Sequence, residues 1–147
     1  MDEPFERLML PARLDSLRPL IEFARQGGEK AGLGSSELDQ LALVLEEILV
    51  NIALYAYQPE EGDMELAYRS EGYSKLWVEV SDQGRCFNPL DAPEPELKDE
   101  LIDQKVGGWG IFLVKFLAES ISYRRENGRN IISFRFPRSE TAGTSNP

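Results

Sequence analysis

Apolar residues recur every three or four positions along one long stretch of the chain. Between residues 38 and 57 they are Leu38, Leu41, Ala42, Leu45, Leu49, Ile52 and Ala56. This spacing places them on one face of an amphipathic helix. Ser35 or Ser36 is the expected N-cap, because a hydroxyl oxygen can accept a hydrogen bond from a free amide of the first turn. The pattern therefore predicts a helix over residues 38–57 that packs one face on a core.

Other segments alternate between apolar and polar residues and predict strands. These segments are Phe5–Leu10, Met64–Arg69, Lys75–Ser81, Ser120–Arg125 and Asn130–Phe136. Glu71-Gly72 and Asn127-Gly128 are turn signals that join two pairs of them into hairpins. We also expect a helix over Leu14–Ala31, capped near Asp15 or Ser16 and disturbed at its end by Gly27-Gly28, and a helix over Trp109–Glu119.

These elements predict an α+β fold. We expect a two-layer α/β sandwich in which a mixed, mostly antiparallel sheet of four or five strands is covered on one face by about three helices. At 147 residues the chain suits a single domain, over residues 1–138. The small polar residues 139–147 predict a disordered tail.

Composition excludes several classes of function. Without histidine the chain has no His-based catalytic site, no His-ligated metal and no self-phosphorylation on histidine. The single cysteine, Cys86, cannot form an internal disulfide, and no apolar run reaches the ~20 residues of a membrane span. The first residues are acidic, whereas a secretory signal begins with basic ones. We therefore expect a cytoplasmic protein that does not enter a membrane.

The formal net charge of −10 argues against direct binding to nucleic acid or an acidic membrane surface. A protein partner fits this charge better. The acidity could complement a basic patch on such a partner, or it could serve solubility alone, and the sequence favours neither.

Two polar residues on the long helix, Glu47 and Asn51, are candidates for a ligand site. They are four positions apart and so lie on one stripe of the helix. A carboxylate beside an amide oxygen suits Mg²⁺, which usually takes one or two protein oxygens together with substrate phosphates. The carboxylate could also act as a base. The other interpretation, favoured for this segment alone, is an ordinary solvated helix face.

A second candidate follows the strand Lys75–Ser81. Asp82 has the same parity as Leu76, Val78 and Val80, so its carboxylate reaches the edge of the side that the helices cover. A buried carboxylate needs a donor, and the exocyclic amine of adenine would supply one. Gly84 would let the backbone pass close to the base. An ordinary Asp-containing turn explains the same residues about equally well.

The third candidate is a run of glycines before the last predicted helix. Gly107, Gly108 and Gly110 would let phosphates approach the free amides at the helix start. Lys105 could add a positive charge. These glycines could instead provide a flexible joint or close packing, and an exposed loop lysine is usually only solvated.

In this order, the three segments resemble the N box, G1 box and G2 box of the GHKL (Bergerat-fold) ATPases. The matching runs are Glu46-Glu47-Ile48-Leu49-Val50-Asn51, Asp82-Gln83-Gly84-Arg85-Cys86-Phe87-Asn88-Pro89 and Gly107-Gly108-Trp109-Gly110. More narrowly, the chain is similar to the anti-sigma factor serine kinases of the RsbW-like group over about residues 5–137. The resemblance implies a Bergerat fold.

The resemblance also implies roles for individual residues. Asn51 would coordinate Mg²⁺, and Glu47 would be the general base for the attacking serine hydroxyl. Asp82 would read the adenine of ATP and Gly84 would make room for it, while glycines 107, 108 and 110 and Lys105 would face the phosphates. The activity implied is phosphorylation of an anti-sigma factor antagonist, coupled to binding of a sigma factor by partner switching. A homodimer is also possible in this group.

Three departures from the family pattern favour an alternative. Cys86 stands where many relatives have a second glycine, and a cysteine tolerates positive φ poorly. Trp109 replaces a smaller residue, and the segment Phe87–Val106, which would form the lid, is strongly acidic. The alternative is a catalytically degenerate module of the same fold that binds nucleotide or protein.

Overall fold

The computed structural model describes residues 4–57, 60–91 and 110–139. The elements, in chain order, are β1 (Glu6–Pro11), α1 (Leu17–Ala31), α2 (Ser35–Tyr55), β2 (Asp63–Ser70), β3 (Leu76–Asp82), α3 (Gly110–Leu117), β4 (Glu119–Glu126) and β5 (Arg129–Phe136). Short 3-10 turns occupy Leu14–Ser16 and Pro89–Asp91. The predicted α+β class is confirmed, and each predicted helix and strand is present with ends shifted by a few residues.

The five strands form one sheet in the order β1-β2-β3-β5-β4, and every described pair is antiparallel. The two predicted hairpins are β2–β3 and β4–β5. Gly72 (φ 95°) lies in the first turn, and Asn127 (φ 54°) and Gly128 (φ 77°) form the second. Glycine and asparagine adopt this left-handed region at little cost, so the turn residues determine where the chain reverses.

The three helices lie on one face of the sheet. α1 packs on α2 and on β2, and α2 also packs on α3. Side chains from both layers form the core, among them Leu20, Leu41, Leu45, Ile48, Ile52, Leu66, Val78, Val80, Val114, Phe134 and Phe136. The predicted apolar face of α2 is therefore confirmed, and this burial supplies the main stabilising free energy of the fold.

The predicted serine cap of α2 is wrong. The helix begins at Ser35, and its N-cap is Gly34. Glu37 Oε1 accepts the backbone N–H of Gly34 at 3.0 Å. The Glu37 carboxylate therefore caps the N-terminus of α2 and also interacts favourably with the helix dipole. No serine hydroxyl is required as a cap.

The predicted disturbance of α1 at Gly27-Gly28 is also wrong, because the helix continues to Ala31 and ends at Gly32 with φ 102°. A side chain at Gly27 would overlap the ring of Tyr68, and one at Gly28 would come within 2.8 Å of Leu38 Cδ2. The two glycines therefore allow close packing rather than ending the helix.

The face of the sheet that points away from the helices, here called the outer face, carries ion pairs. Arg129 Nη2 lies 3.1 Å from Glu65 Oε1, and Arg135 Nε lies 2.6 Å from Glu71 Oε1. Charged residues lie on this face and in the turn between β2 and β3. The basic residues are Arg7, Arg69, Lys75, Arg124, Arg129 and Arg135, and the acidic residues are Asp63, Glu65, Glu71, Glu79, Glu119 and Glu126. In the described strands the outer face is therefore neutral.

The end of the described chain is anchored. Lys75 Nζ donates to Pro137 O and Ser139 Oγ, each at 2.6 Å, and Ser139 N donates to Glu119 Oε1 at 2.7 Å. Ser139, the first residue of the predicted disordered tail, is thus tied to the sheet, and the rest of that tail lies outside the described residues. None of the described helices has the length and apolar character needed to cross a bilayer.

Candidate functional site

Helix α2 places Glu47 and Asn51 on one stripe, as its periodicity predicted. Asn51 is 2% exposed. Its Nδ2 donates to Pro89 O at 2.8 Å and lies 3.5 Å from Glu47 Oε2. Its Oδ1 is buried without a partner. The amide is thus held through its nitrogen, while its oxygen is left as a free acceptor.

Strand β3 ends at Asp82, whose side chain is turned toward the helical layer and is 3% exposed. Asp82 Oδ1 accepts Gly84 N at 2.8 Å and Asn130 Nδ2 at 2.9 Å. Burial raises the pKa of Asp82, and this effect outweighs those two hydrogen bonds and the nearby Arg125 and Arg129. Its second oxygen, Oδ2, is buried without a partner.

Two unpaired oxygens distinguish this region. Within residues 4–57, 60–91 and 110–139, the buried side-chain nitrogen or oxygen atoms without a hydrogen-bond partner are Asn51 Oδ1 and Asp82 Oδ2. Burial of an acceptor without a donor costs free energy, so such atoms mark places where a ligand can compensate. An amide oxygen suits Mg²⁺ and a carboxylate oxygen suits an amine, so the two residues fit the groups that the sequence predicts for them.

Glu47 is half-buried next to Asn51. Burial raises the pKa of Glu47, the charge of Glu46 raises it further, and the contact with Asn51 lowers it, with the first effect largest. A carboxylate with a raised pKa accepts a proton more readily, which suits a general base. In the described residues no group of three or more Cys, Asp or Glu side chains could hold a metal ion, so a cation bound by Asn51 would also need ligands from the substrate.

Gly84 lies against the end of α2. A Cβ at this position would overlap the carbonyl oxygen of Ala56 and come within 2.8 Å of its carbon, and Arg85 N donates to the same carbonyl at 3.0 Å. The glycine therefore permits a close approach of two backbones. Its predicted role beside the adenine stays a prediction.

The segment from Gly84 to Pro89 joins the two ends of the site. Gly84 N is bonded to Asp82, Arg85 Nε donates to Tyr55 O at 2.9 Å, and Pro89 O accepts from Asn51. A cavity of about 480 Å³ next to Gly84 and a smaller one of about 130 Å³ next to Asp82 do not include Asn51. The structure thus connects Asn51 and Asp82 through one segment rather than across these cavities.

The glycine-rich segment cannot be placed in the same way. Gly107, Gly108, Lys105 and Trp109 lie outside the described residues. Gly110 is the first residue of α3. Their predicted contacts with phosphates stay predictions, as does the lid beyond residue 91.

Cys86 does not carry the strain that its place in the glycine box predicts. The described non-glycine residues with positive φ are Ser74, Ser120 and Asn127, so Cys86 lies outside the left-handed region. Its thiol is exposed, and Sγ lies 3.7 Å from the hydroxyl of Tyr123. The loop therefore accepts a cysteine without unfavourable backbone geometry.

Asn130 is a site residue that the sequence reasoning missed. It is 1% exposed at the start of β5, directly opposite Asp82 in the β3–β5 pairing. A signal was present, because Asn130 has the same parity as Ile132, Phe134 and Phe136 and is the polar member of a buried row. A polar residue in such a row requires hydrogen-bond partners, which here belong to the site.

Comparison with known proteins gives a consistent result. The family model for the histidine kinase-like ATPase domain matches residues 10–136. The chain is 30% identical over 91 residues to the serine/threonine-protein kinase BtrW of Bordetella bronchiseptica, a match that spans 61% of this chain and 63% of that protein. It is 25% identical over 113 residues to the serine-protein kinase RsbW of Listeria innocua, covering 73% of this chain and 71% of that one.

A solved structure shares the fold. The crystal structure of the RsbU and RsbW domains of a Mycobacterium tuberculosis protein aligns with a TM-score of 0.62 over 95% of this chain, at 15% identity. The chain spans 34% of that protein's chain. At this identity the likeness supports the architecture of two layers and says nothing about activity.

Proposed function

Because the chain belongs to the histidine kinase-like ATPase family, we propose that it is an ATP-dependent serine/threonine protein kinase that acts as an anti-sigma regulatory factor. It phosphorylates an anti-sigma factor antagonist and binds a sigma factor, and it exchanges one partner for the other. Its similarity to two named protein kinases, BtrW and RsbW, supports the kinase activity. The observation that carries the proposal is the pair of buried, unpaired oxygens on Asn51 and Asp82.

Each of these residues has one role in the proposal. Asp82 Oδ2 accepts a hydrogen bond from the exocyclic amine of adenine. Asn51 Oδ1 would be the protein ligand of Mg²⁺, which would neutralise charge on the phosphates. The glycines 107, 108 and 110, with Lys105, complete the phosphate site.

Glu47 handles the proton of the reaction. The serine hydroxyl oxygen of the substrate forms a bond to the γ-phosphorus, the bond from that phosphorus to the β-phosphate oxygen breaks, and the hydroxyl proton passes to the Glu47 carboxylate. The raised pKa of Glu47 makes its carboxylate a better acceptor than an exposed one. Asn51, the proposed metal ligand, is four residues further along the same stripe and therefore lies next to this base.

Two measurements test the proposal. Thermal unfolding with MgATP at about a hundred times Kd should show a stabilisation of ~2.7 kcal/mol. Transfer of radiolabelled phosphate to a purified antagonist-type protein should then be lost in Glu47→Gln, which keeps the MgATP stabilisation. Glu46→Gln is the matched control, because Glu46 is adjacent in sequence and its carboxylate is exposed. This variant should keep both the stabilisation by MgATP and the phosphate transfer.

Loss of the MgATP stabilisation in Glu47→Gln would mean that this residue binds rather than catalyses. A second candidate function is a binding module of the same fold without phosphoryl transfer. It is favoured by the burial of Asn51 and the occupation of its Nδ2 by Pro89 O. This candidate predicts no phosphate transfer by the wild-type protein: MgATP still stabilises a module that binds nucleotide, and does not stabilise one that binds only protein.

A further inference from the structure

Asn130, which has no role in the proposed reaction, contacts both the base-reading carboxylate and the loop that follows it. Its Nδ2 donates to Asp82 Oδ1 at 2.9 Å and to Arg85 O at 2.7 Å. Both hydrogens of the side-chain amide are therefore used. The residue is 1% exposed, so these bonds form away from competing water.

The oxygen of the same amide is also occupied. Asn130 Oδ1 accepts Tyr123 OH at 2.7 Å, Phe87 N at 3.1 Å and Arg125 Nη1 at 3.1 Å. If the amide were turned over, its oxygen would face a carboxylate and a carbonyl, which are both acceptors, and its nitrogen would face two N–H donors and the Tyr123 hydroxyl. The side chain of Asn130 therefore has one permitted orientation.

This orientation determines which oxygen of Asp82 is available. Oδ1 is committed to Gly84 N and to Asn130 Nδ2, and Oδ2 is left as the free acceptor. We propose that Asn130 is a positioning residue for base recognition, which fixes Asp82 so that Oδ2 accepts the exocyclic amine of adenine and repels the carbonyl oxygen of guanine. This inference rests on the proposed function, since it requires that a purine nucleotide binds at Asp82.

The same amide also fixes the loop. Through Arg85 O and Phe87 N it holds the segment that ends at Pro89, whose carbonyl contacts Asn51. One side chain therefore links the position of the base-reading carboxylate to the position of the metal ligand. Disturbing Asn130 is expected to alter base discrimination first, because Asp82 is its direct partner.

The substitution Asn130→Asp tests this role. It keeps the shape of the side chain but places a carboxylate oxygen where the amide nitrogen donates to Asp82. Two buried carboxylates share a proton at low pH and repel each other when both are ionised. The other titratable or charged groups near the pair are Arg125, Arg129, Tyr57 and Tyr123, together with Cys86, whose thiol contacts Tyr123. These groups are also present in the wild type, so the difference between the two proteins isolates the pair.

The affinities for MgATP and MgGTP should be measured by calorimetry between pH 6 and pH 8.5. At pH 8.5 the Kd of Asn130→Asp for MgATP should be at least about tenfold higher than that of the wild type, which is the effect typical of losing a hydrogen bond to a charged group. At pH 6 the two Kd values should be similar. The preference for ATP over GTP should fall. Ser133→Ala is the matched control, because Ser133 is equally buried on β5 and its hydroxyl is bonded to Ser122 at 3.0 Å on the outer face.

A folded Asn130→Asp protein with wild-type affinity and no pH dependence would overturn the inference. If this variant does not fold, Tyr123→Phe provides the second test, since it removes one donor to Asn130 Oδ1 and keeps the ring. Unchanged preference for ATP in Tyr123→Phe would also overturn the inference. Wild-type protein that binds neither MgATP nor MgGTP would contradict the proposed function itself, and this inference with it.

Discussion

The substitution Gly84→Ala measures how tightly the loop after β3 is pressed against α2. The added methyl group would overlap the carbonyl oxygen of Ala56 and lie 2.8 Å from its carbon, and both are backbone atoms that cannot rotate away. Overpacking of this kind costs about 1–3 kcal/mol. Separating the two backbones also weakens the bond from Arg85 N to Ala56 O, which contributes about 1 kcal/mol. We therefore expect a loss of roughly 2–4 kcal/mol in the free energy of unfolding.

Urea denaturation gives this loss directly, and thermal unfolding should show a Tm lower by about 6–15 °C for a domain of this size. Gly34→Ala is the matched control, because nothing lies within 4 Å of a Cβ there and its φ is −83°. It should change stability by less than about 1 kcal/mol. The reasoning is refuted if Gly84→Ala retains the wild-type midpoint, since Gly84 would then serve only a ligand and not the packing of the apo protein.

Three further predictions follow from the site. Asp82→Asn should weaken MgATP binding and remove a pH-dependent loss of stability. The pKa of Asp82 is raised in the folded state, so the folded protein keeps this proton to a higher pH than the unfolded chain does. The free energy of unfolding of the wild type should therefore fall relative to that of the variant as the pH rises above about 4, which urea denaturation at several pH values tests. Phosphoryl transfer should increase with pH through the raised pKa of Glu47, because the base must be ionised, and a pH-independent rate would contradict its role. Cys86→Gly should change the Kd for MgATP by less than about threefold, because Cys86 is not in the left-handed region where glycine is favoured.

Much of the architecture could be predicted because the apolar periodicity is strong. The stripe on α2, the two hairpins and the inward position of Asp82 all follow from spacing and from turn residues. The errors concern the ends of helices, because the types of the neighbouring residues do not determine where a helix begins or ends. Gly27 and Gly28 suggested a break in the helix. In the structure the ring of Tyr68 packs against Gly27, and the side chains of Leu33 and Leu38 pack against Gly28. The sequence around the two glycines does not show these contacts, because they depend on how the chain folds back on α1.

The candidate site was predictable only in part, for a related reason. Asn51 and Asp82 belong to motifs whose residue types suggest their chemistry. Asn130 belongs to no motif, and its importance lies in the antiparallel register that sets it opposite Asp82. Such a pairing depends on which strands become neighbours, and β3 pairs with β5 rather than with the next strand in the chain. Sequence patterns do not specify that neighbour.

The balance of charge on the outer face has a consequence for how the molecule meets others. Because that face is neutral, the formal net charge of −10 belongs to the remaining residues. A basic surface is therefore attracted to parts of the protein other than this face, and that attraction raises the rate at which the two meet. The rate of such an encounter falls as salt is added, since ions shorten the reach of the field to about 10 Å at 0.1 M.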